Sequence, residues 1–187
     1  MAYISNDILQ KMQFKSIGIN VKISDKASIY NPEQIEIDDN SRIDDFCVIS
    51  GKIKIGKHVH ITPQCLVAGG EEGITFENYT TIAYGVQVFT QSDDYSGETM
   101  ANSTIPIKYK NEYKKEIILK KHSIVGARSI IMPGVTLSEG SSIGAMSLVL
   151  SSTEPWSIYV GIPAKKIKRR KKNLLELEKQ FLKEVSK

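Results

Sequence analysis

Cysteine, tryptophan and histidine are scarce in this 187-residue chain, at two, one and three residues. No apolar run is long enough to span a bilayer, which excludes a transmembrane reading. The opening stretch MAYISNDILQKMQ has no basic segment followed by an apolar core. With only Cys47 and Cys65 available, a secreted disulfide scaffold is disfavoured, and the expectation is a cytoplasmic protein with two buried thiols. Leucine is sparse too, with ten against 26 isoleucines and 11 valines. A β-branched excess of this kind favours strands.

Isoleucine is itself missing after Ile167, where leucine takes over at 174, 175, 177 and 182. Charge changes at the same place. Residues 165–187 hold ten Lys/Arg and three Glu, so the net +4 of the chain resides in the tail and residues 1–164 are slightly acidic. That excludes a basic nucleic-acid-binding body. The run KKIKRRKK at 165–172 has no interleaved aromatic residue and reads as the N-terminal part of a helix beside an anion site. Length suggests one domain with an appendage. The divisions are a capping segment at 1–20, a repeat domain at 21–164 and a basic tail with a helix at 165–187.

The aliphatic residues recur every six positions. Ile37, Ile43, Ile49, Ile55, Ile61 and Val67 form one run, and Phe76, Ile82 and Val88 follow after a slip of three. Leu119, Val125, Ile131, Leu137, Ile143 and Val149 form another. Four residues after most of these comes a small or β-branched residue, such as Ser41, Cys47, Cys65, Thr80, Ser129 or Ser147. A helix has no period of six and a strand alternates every two, so six is one short strand plus one tight turn. Three such units close a triangular coil of 18 residues, and coils stack at the ordinary strand spacing of about 4.8 Å. The expectation is an all-β parallel β-helix of about six coils built from hexapeptide repeats. A β-sandwich is disfavoured because its strands recur every 8–12 residues or so. Ile4, Ile8, Leu9 and Met12 mark a short amphipathic cap at one end, and Leu174, Leu177, Phe181 and Val185 mark a helix at the other.

Two breaks interrupt the period. Residues 90–117 form a long, polar, tyrosine-containing loop excursion, and AGGEEG at 68–73 lies about one coil earlier. Loops that break a repeat tend to line the binding face, and these two are expected to be neighbours in space.

The run IVGARSIIMPGVTLSEGSSIGAMSLVLSS at 124–152, followed by YVGIPAKKIK at 159–168, resembles the last coils of hexapeptide-repeat acyltransferases, closest to the sugar O- and N-acetyltransferases. The resemblance covers roughly residues 35–170. It implies a left-handed coil, a homotrimer with sites between adjacent prisms, and acetyl-CoA lying along the C-terminal coils. Carried over by position, Ala127 and Ala145 meet the pantetheine arm, flanked by Gly126, Gly144 and Met146. Lys165 and Lys168 reach the phosphates of CoA.

The sugar O-acetyltransferases of this group place a catalytic histidine in the long loop, and here the loop has none. Asp93, Asp94 and Tyr95 occupy that place. A hydroxyl acceptor needs a base, whereas a sugar amine is partly neutral near pH 7–8 and needs less help. The expectation is therefore N-acetylation of a nucleotide-linked amino sugar for surface glycan (lipopolysaccharide) assembly, ahead of O-acetylation or a non-catalytic trimeric scaffold. Asp94 and Asp93 are the candidate amine anchors, His60 the alternative base, and Asp93, Tyr95 and His58 the acceptor contacts. His58, His60 and His122 occupy turn or outward positions and lack the spacing of a three-histidine zinc site, so no metal is expected.

Overall fold

A computed structural model describes residues 2–185, so that Met1, Ser186 and Lys187, the extremes of the two terminal segments, lie outside the described residues. The chain winds into a three-sided prism. One face carries the strands Ser16–Ile17, Ile35–Ile37, Ile53–Ile55, Ile74–Phe76, Ile117–Leu119 and Thr136–Leu137, all paired in parallel. The second face begins at Lys22–Ile23 and runs through His60–Ile61, Thr81–Ile82 and Ser142–Ile143 to Ser157–Val160. The third begins at Ser28–Ile29 and ends at Leu148–Val149. Six coils are complete and a seventh is formed only on the second face.

The period of six acts through stacking. Ile37 lies over Ile55, Ile43 over Ile61 and Ile49 over Val67, each pair in register. All six of these residues are buried. The small residues four positions on turn inward at the corners, and their hydroxyls bond coil to coil. Ser129 Oγ donates to the Gly144 carbonyl at 2.9 Å, and Ser41 Oγ to the Gly56 carbonyl at 2.6 Å.

The corner between the first and second faces turns through left-handed residues, including Asn40, His58, Tyr79 and His122. Such a conformation costs a side-chain-bearing residue roughly 1 kcal/mol, offset here because each residue stacks on the next coil. The His58 and Tyr79 rings lie 5.3 Å apart and the Tyr79 and His122 rings 5.2 Å apart, nearly parallel in both pairs. Helix α2 (Leu174–Val185) crosses this corner and sets Phe181 edge-on to His58 and Tyr79. At the other end, helix α1 (Asn6–Lys11) inserts Leu9 into the core with Ile4 and Met12 packed beside it, while Ile8 faces solvent.

The basic run differs from its sequence reading. Lys165–Arg169 is not the start of a helix but a strand, antiparallel to Ser157–Val160. The last edge of the second face needs a partner, and the chain supplies one by folding back on itself. His122 likewise occupies a turn but is not open to solvent, because α2 covers it.

Candidate active site

The corner between the second and third faces carries five of the anticipated cofactor residues. Gly126 and Ala127 lie in one coil, with Gly144, Ala145 and Met146 directly over them, and the Met146 amide donates to the Ala127 carbonyl at 2.8 Å. A Cβ on Gly126 would stand 2.4 Å from the Ala145 nitrogen, so only glycine lets these coils close. One on Gly144 would meet Val160 Cγ1 at 2.5 Å. Val160 pairs with Lys165, which brings that lysine to the top of the same corner. Lys168 pairs with Ile158, further along the hairpin and about 10 Å from Lys165. The two lysines thus bracket a length of surface rather than a point.

Following the corner the other way leads to a polar cluster. The Arg128 amide donates to the Tyr84 carbonyl at 2.8 Å, which places Tyr84 next in the row after Ala145 and Ala127. Below it, on the second face, lie Arg42 and His60 in adjacent strands. Asp44 joins them. Its carboxylate is buried and accepts from Arg42 Nε at 2.5 Å and from His60 Nε2 at 2.8 Å. A carboxylate cannot donate, so Nε2 carries a proton toward Asp44, and Nδ1 is the ring nitrogen left free of that bond. The same bond to Asp44 raises the pKa of Arg42.

The long loop springs from the corner between the third and first faces. Its stem is a short antiparallel pair, Gln91–Ser92 with Tyr113–Lys114. Glu112 sits between Lys110 Nζ at 2.6 Å and Lys114 Nζ at 3.0 Å, and these bonds, Lys110 first, lower its pKa to about 2. The glycine-rich break lies against this stem, as the spacing suggests. Thr90 Oγ1 donates to the Gly69 carbonyl at 2.8 Å, and the Ile117 amide donates to the Gly73 carbonyl.

Within the loop the two aspartates differ. Asp94 accepts from the Ser96 amide at 2.8 Å, the Thr99 amide at 3.0 Å and Thr99 Oγ1 at 2.9 Å. Hydrogen bonds from Ser96, then Thr99, hold its pKa down at about 2. The Asp93 carboxylate accepts a long bond from the Asn102 amide, 3.3 Å, and lines a cavity of about 340 Å³ with Ser50, Phe89, Gln91 and Ser103. Tyr95 projects into solvent at 91% exposure.

One chain therefore brings together Gly126, Ala127, Gly144, Ala145, Met146 and Lys165. It leaves Asp93, Asp94 and Tyr95 at a second corner and His58 at a third, against α2. His58 lines a cavity of about 430 Å³ with Tyr79, His122, Arg170 and Phe181. Burial there pushes the Glu178 carboxyl up, but hydrogen bonds from Lys121 and His122 outweigh it and leave it below its ordinary value. Among the described residues no cluster of three His, Cys, Asp or Glu side chains suits a metal ion. None of their helices is long and apolar enough to cross a membrane.

Arg42, Asp44, Tyr84 and Glu112 escaped the sequence reading. For the first pair the signal was available: Arg42 and His60 are 18 residues apart, one coil, so outward residues at that offset must touch. Tyr84 was hidden because the loop sets it 43 positions from its row neighbour Ala127 instead of 18.

No protein-family profile matches the chain. Among curated proteins it is similar to the dTDP-4-amino-4,6-dideoxy-D-glucose acyltransferase of Escherichia coli, 44% identical over 184 residues, 97% of this chain and 95% of that one. Among solved structures, AntD, an N-acyltransferase from Bacillus cereus in complex with dTDP and 3-hydroxybutyryl-CoA, superposes with a TM-score of 0.97. It is 48% identical, over 99% of this chain and 98% of that one. A mutant of AntD in complex with dTDP-4-amino-4,6-dideoxyglucose and Coenzyme A is 49% identical, over 98% of both chains, with a TM-score of 0.97. A maltose O-acetyltransferase from Clostridium difficile, 18% identical over 89% of this chain and 75% of that one with a TM-score of 0.61, shares the fold. With a hexapeptide-repeat prism, a glycine-lined corner groove and 44% identity to a curated enzyme along nearly its whole length, the chain is an acyltransferase and belongs to the dTDP-amino-sugar N-acyltransferases.

Proposed function

We propose that this protein transfers an acetyl group from acetyl-CoA to the amine of a dTDP-linked 4-amino-4,6-dideoxy sugar. The nucleotide sugar would serve surface glycan (lipopolysaccharide) assembly in the cytoplasm. The observation that carries the reading is the continuous corner row from Lys165 through Ala145 and Ala127 to the cluster of Tyr84, Arg42, Asp44 and His60. It offers cations for phosphates, close-packed backbone for a pantetheine arm and polar chemistry where the thioester ends.

In this reading CoA lies along the row, with Gly126, Gly144 and Met146 shaping its floor and Lys165 and Lys168 taking its phosphates. The sugar nitrogen attacks the thioester carbonyl, a C–N bond forms, the C–S bond breaks, and the thiolate leaves with a proton. Asp94, ionised throughout the physiological range, is too weak a base to deprotonate an ammonium and serves with Asp93 as its counter-charge. His60, with Nε2 held by Asp44, offers Nδ1 as the proton acceptor. Tyr95 contacts the nucleotide sugar, whereas His58, packed against Tyr79 and Phe181 at the third corner, takes no part in this site. The loop and the corner row lie at different corners of one prism, which supports a homotrimer in which the loop of one protomer closes the groove of its neighbour.

The test is thiol release from acetyl-CoA with dTDP-4-amino-4,6-dideoxyglucose and with the matching 4-hydroxy sugar. Turnover with the amine alone is expected. Turnover with neither would move the reading to a non-catalytic scaffold, and preference for the hydroxyl would move it to O-acetylation.

A further inference from the structure

The corner row that guides the proposed CoA path changes character abruptly. Ala145 and Ala127 present only methyl groups, and the next position is a tyrosine, 62% exposed. Coils stack at about 4.8 Å, so the row from Ala145 to Tyr84 covers about 10 Å. An extended pantetheine laid over the alanines brings its thioester to the tyrosine. The exposed ring thus occupies the position that follows the two alanines, where an acyl chain longer than two carbons would extend along the proposed path.

We propose that Tyr84 is the end wall of the acyl site and restricts this enzyme to short acyl groups. The inference rests on the CoA path proposed above. AntD is known with 3-hydroxybutyryl-CoA, whose acyl chain is two carbons longer than acetyl. With an aromatic ring at the end of the row, those carbons meet a wall. Two methylene-sized units against a fixed surface are worth a discrimination of about 10²-fold. The ring, rather than the hydroxyl, supplies the barrier, because exclusion depends on volume.

The experiment measures kcat/KM with acetyl-CoA and with 3-hydroxybutyryl-CoA, at saturating dTDP-4-amino-4,6-dideoxyglucose, for the wild type, Tyr84→Phe and Tyr84→Ser. CoA affinity is followed separately by calorimetry. The wild type should favour acetyl by about 10²-fold. Tyr84→Phe should keep that preference, and Tyr84→Ser should reduce it at least about tenfold, with CoA affinity unchanged in all three. A preference unmoved in Tyr84→Ser, or moved equally by Tyr84→Phe, overturns the wall. A wild type that binds CoA and acetylates the amine but accepts both thioesters equally also overturns it, while leaving the proposed function standing. A wild type that turns over neither thioester removes both.

Discussion

The prism wall and the long loop solve the same problem, holding backbone in place, by different means. In the wall each coil is fixed by its neighbours, through parallel ladders and fully buried Ile, Val and Leu side chains. In the loop of residues 90–117 almost nothing apolar is buried. Order comes from short-range polar bonds: Asp94 to Ser96 and Thr99, Asn102 to Thr104, and Glu112 to Lys110 and Lys114. Stability thus resides where the sequence repeats, while the loop is held only by polar bonds of its own. A change in the wall should destroy the fold, whereas one in the loop should leave the fold intact and change the rate.

The sharpest way to break this contrast is Ile131→Asp. Ile131 is stacked between Val88 and Val149 with no exposed surface, and an unpaired carboxylate there costs several kcal/mol. Loss of cooperative thermal unfolding by circular dichroism is expected, and a soluble, cooperatively unfolding variant would refute the register. Next comes Asp94→Asn. It removes the charge while keeping most of the turn, so kcat/KM should fall by up to about 10²-fold with the melting temperature nearly unchanged. A large fall in melting temperature would show that the loop supports the wall.

Smaller effects sharpen the comparison within the groove. Lys165→Ala should raise the KM for acetyl-CoA, by about tenfold, with kcat nearly constant, as expected for lost uniform binding. Lys168→Ala, further along the hairpin, should act on a different phosphate, so only one of the two should lose its effect with dephospho-CoA. Equal responses would mean that both meet the pyrophosphate or neither does.

The smallest effect is a pH dependence that should be absent. The folded pKa of Asp94 is depressed to about 2 from an ordinary value near 3.8. Its contribution to loop order is therefore present in full above about pH 4–5 and fades only as pH falls toward 2. Between pH 6 and 9, kcat/KM should rise as the substrate amine loses its proton, with no limb from Asp94. The Asp94→Asn variant should show the same profile at lower amplitude. A changed apparent pKa in that variant would give the aspartate a direct part in proton transfer.

How much was legible follows from the same contrast. Period six is written locally, and each inward position repeats the same environment, so Ile37 to Val67 and Leu119 to Val149 announced both the coil and its register. The glycines and alanines of the corner were readable because two coils can close on each other only where a Cβ is absent or small, as at Gly126 and Gly144. The basic run was misread as helix. Its composition suits either state, and only the unpaired edge at Ser157–Val160 decided for a strand.

Sequence by itself determined the prism, its order of stacking and the place of its interruptions, because these depend on residue type at a fixed spacing. The tertiary structure alone decided which side chains share a site. Asp44 could be seen as an acidic turn residue, but its role required knowing that Arg42 and His60 reach it from adjacent coils. Tyr84 became the row neighbour of Ala127 only when the 25 residues in excess of one coil were excised from the count. The folding of α2 over His58, Tyr79 and His122 brought Glu178 to within 2.9 Å of His122 across 56 positions. No local pattern encodes such a contact, because it is fixed by where the wall ends and where the helix finds an apolar corner to cover.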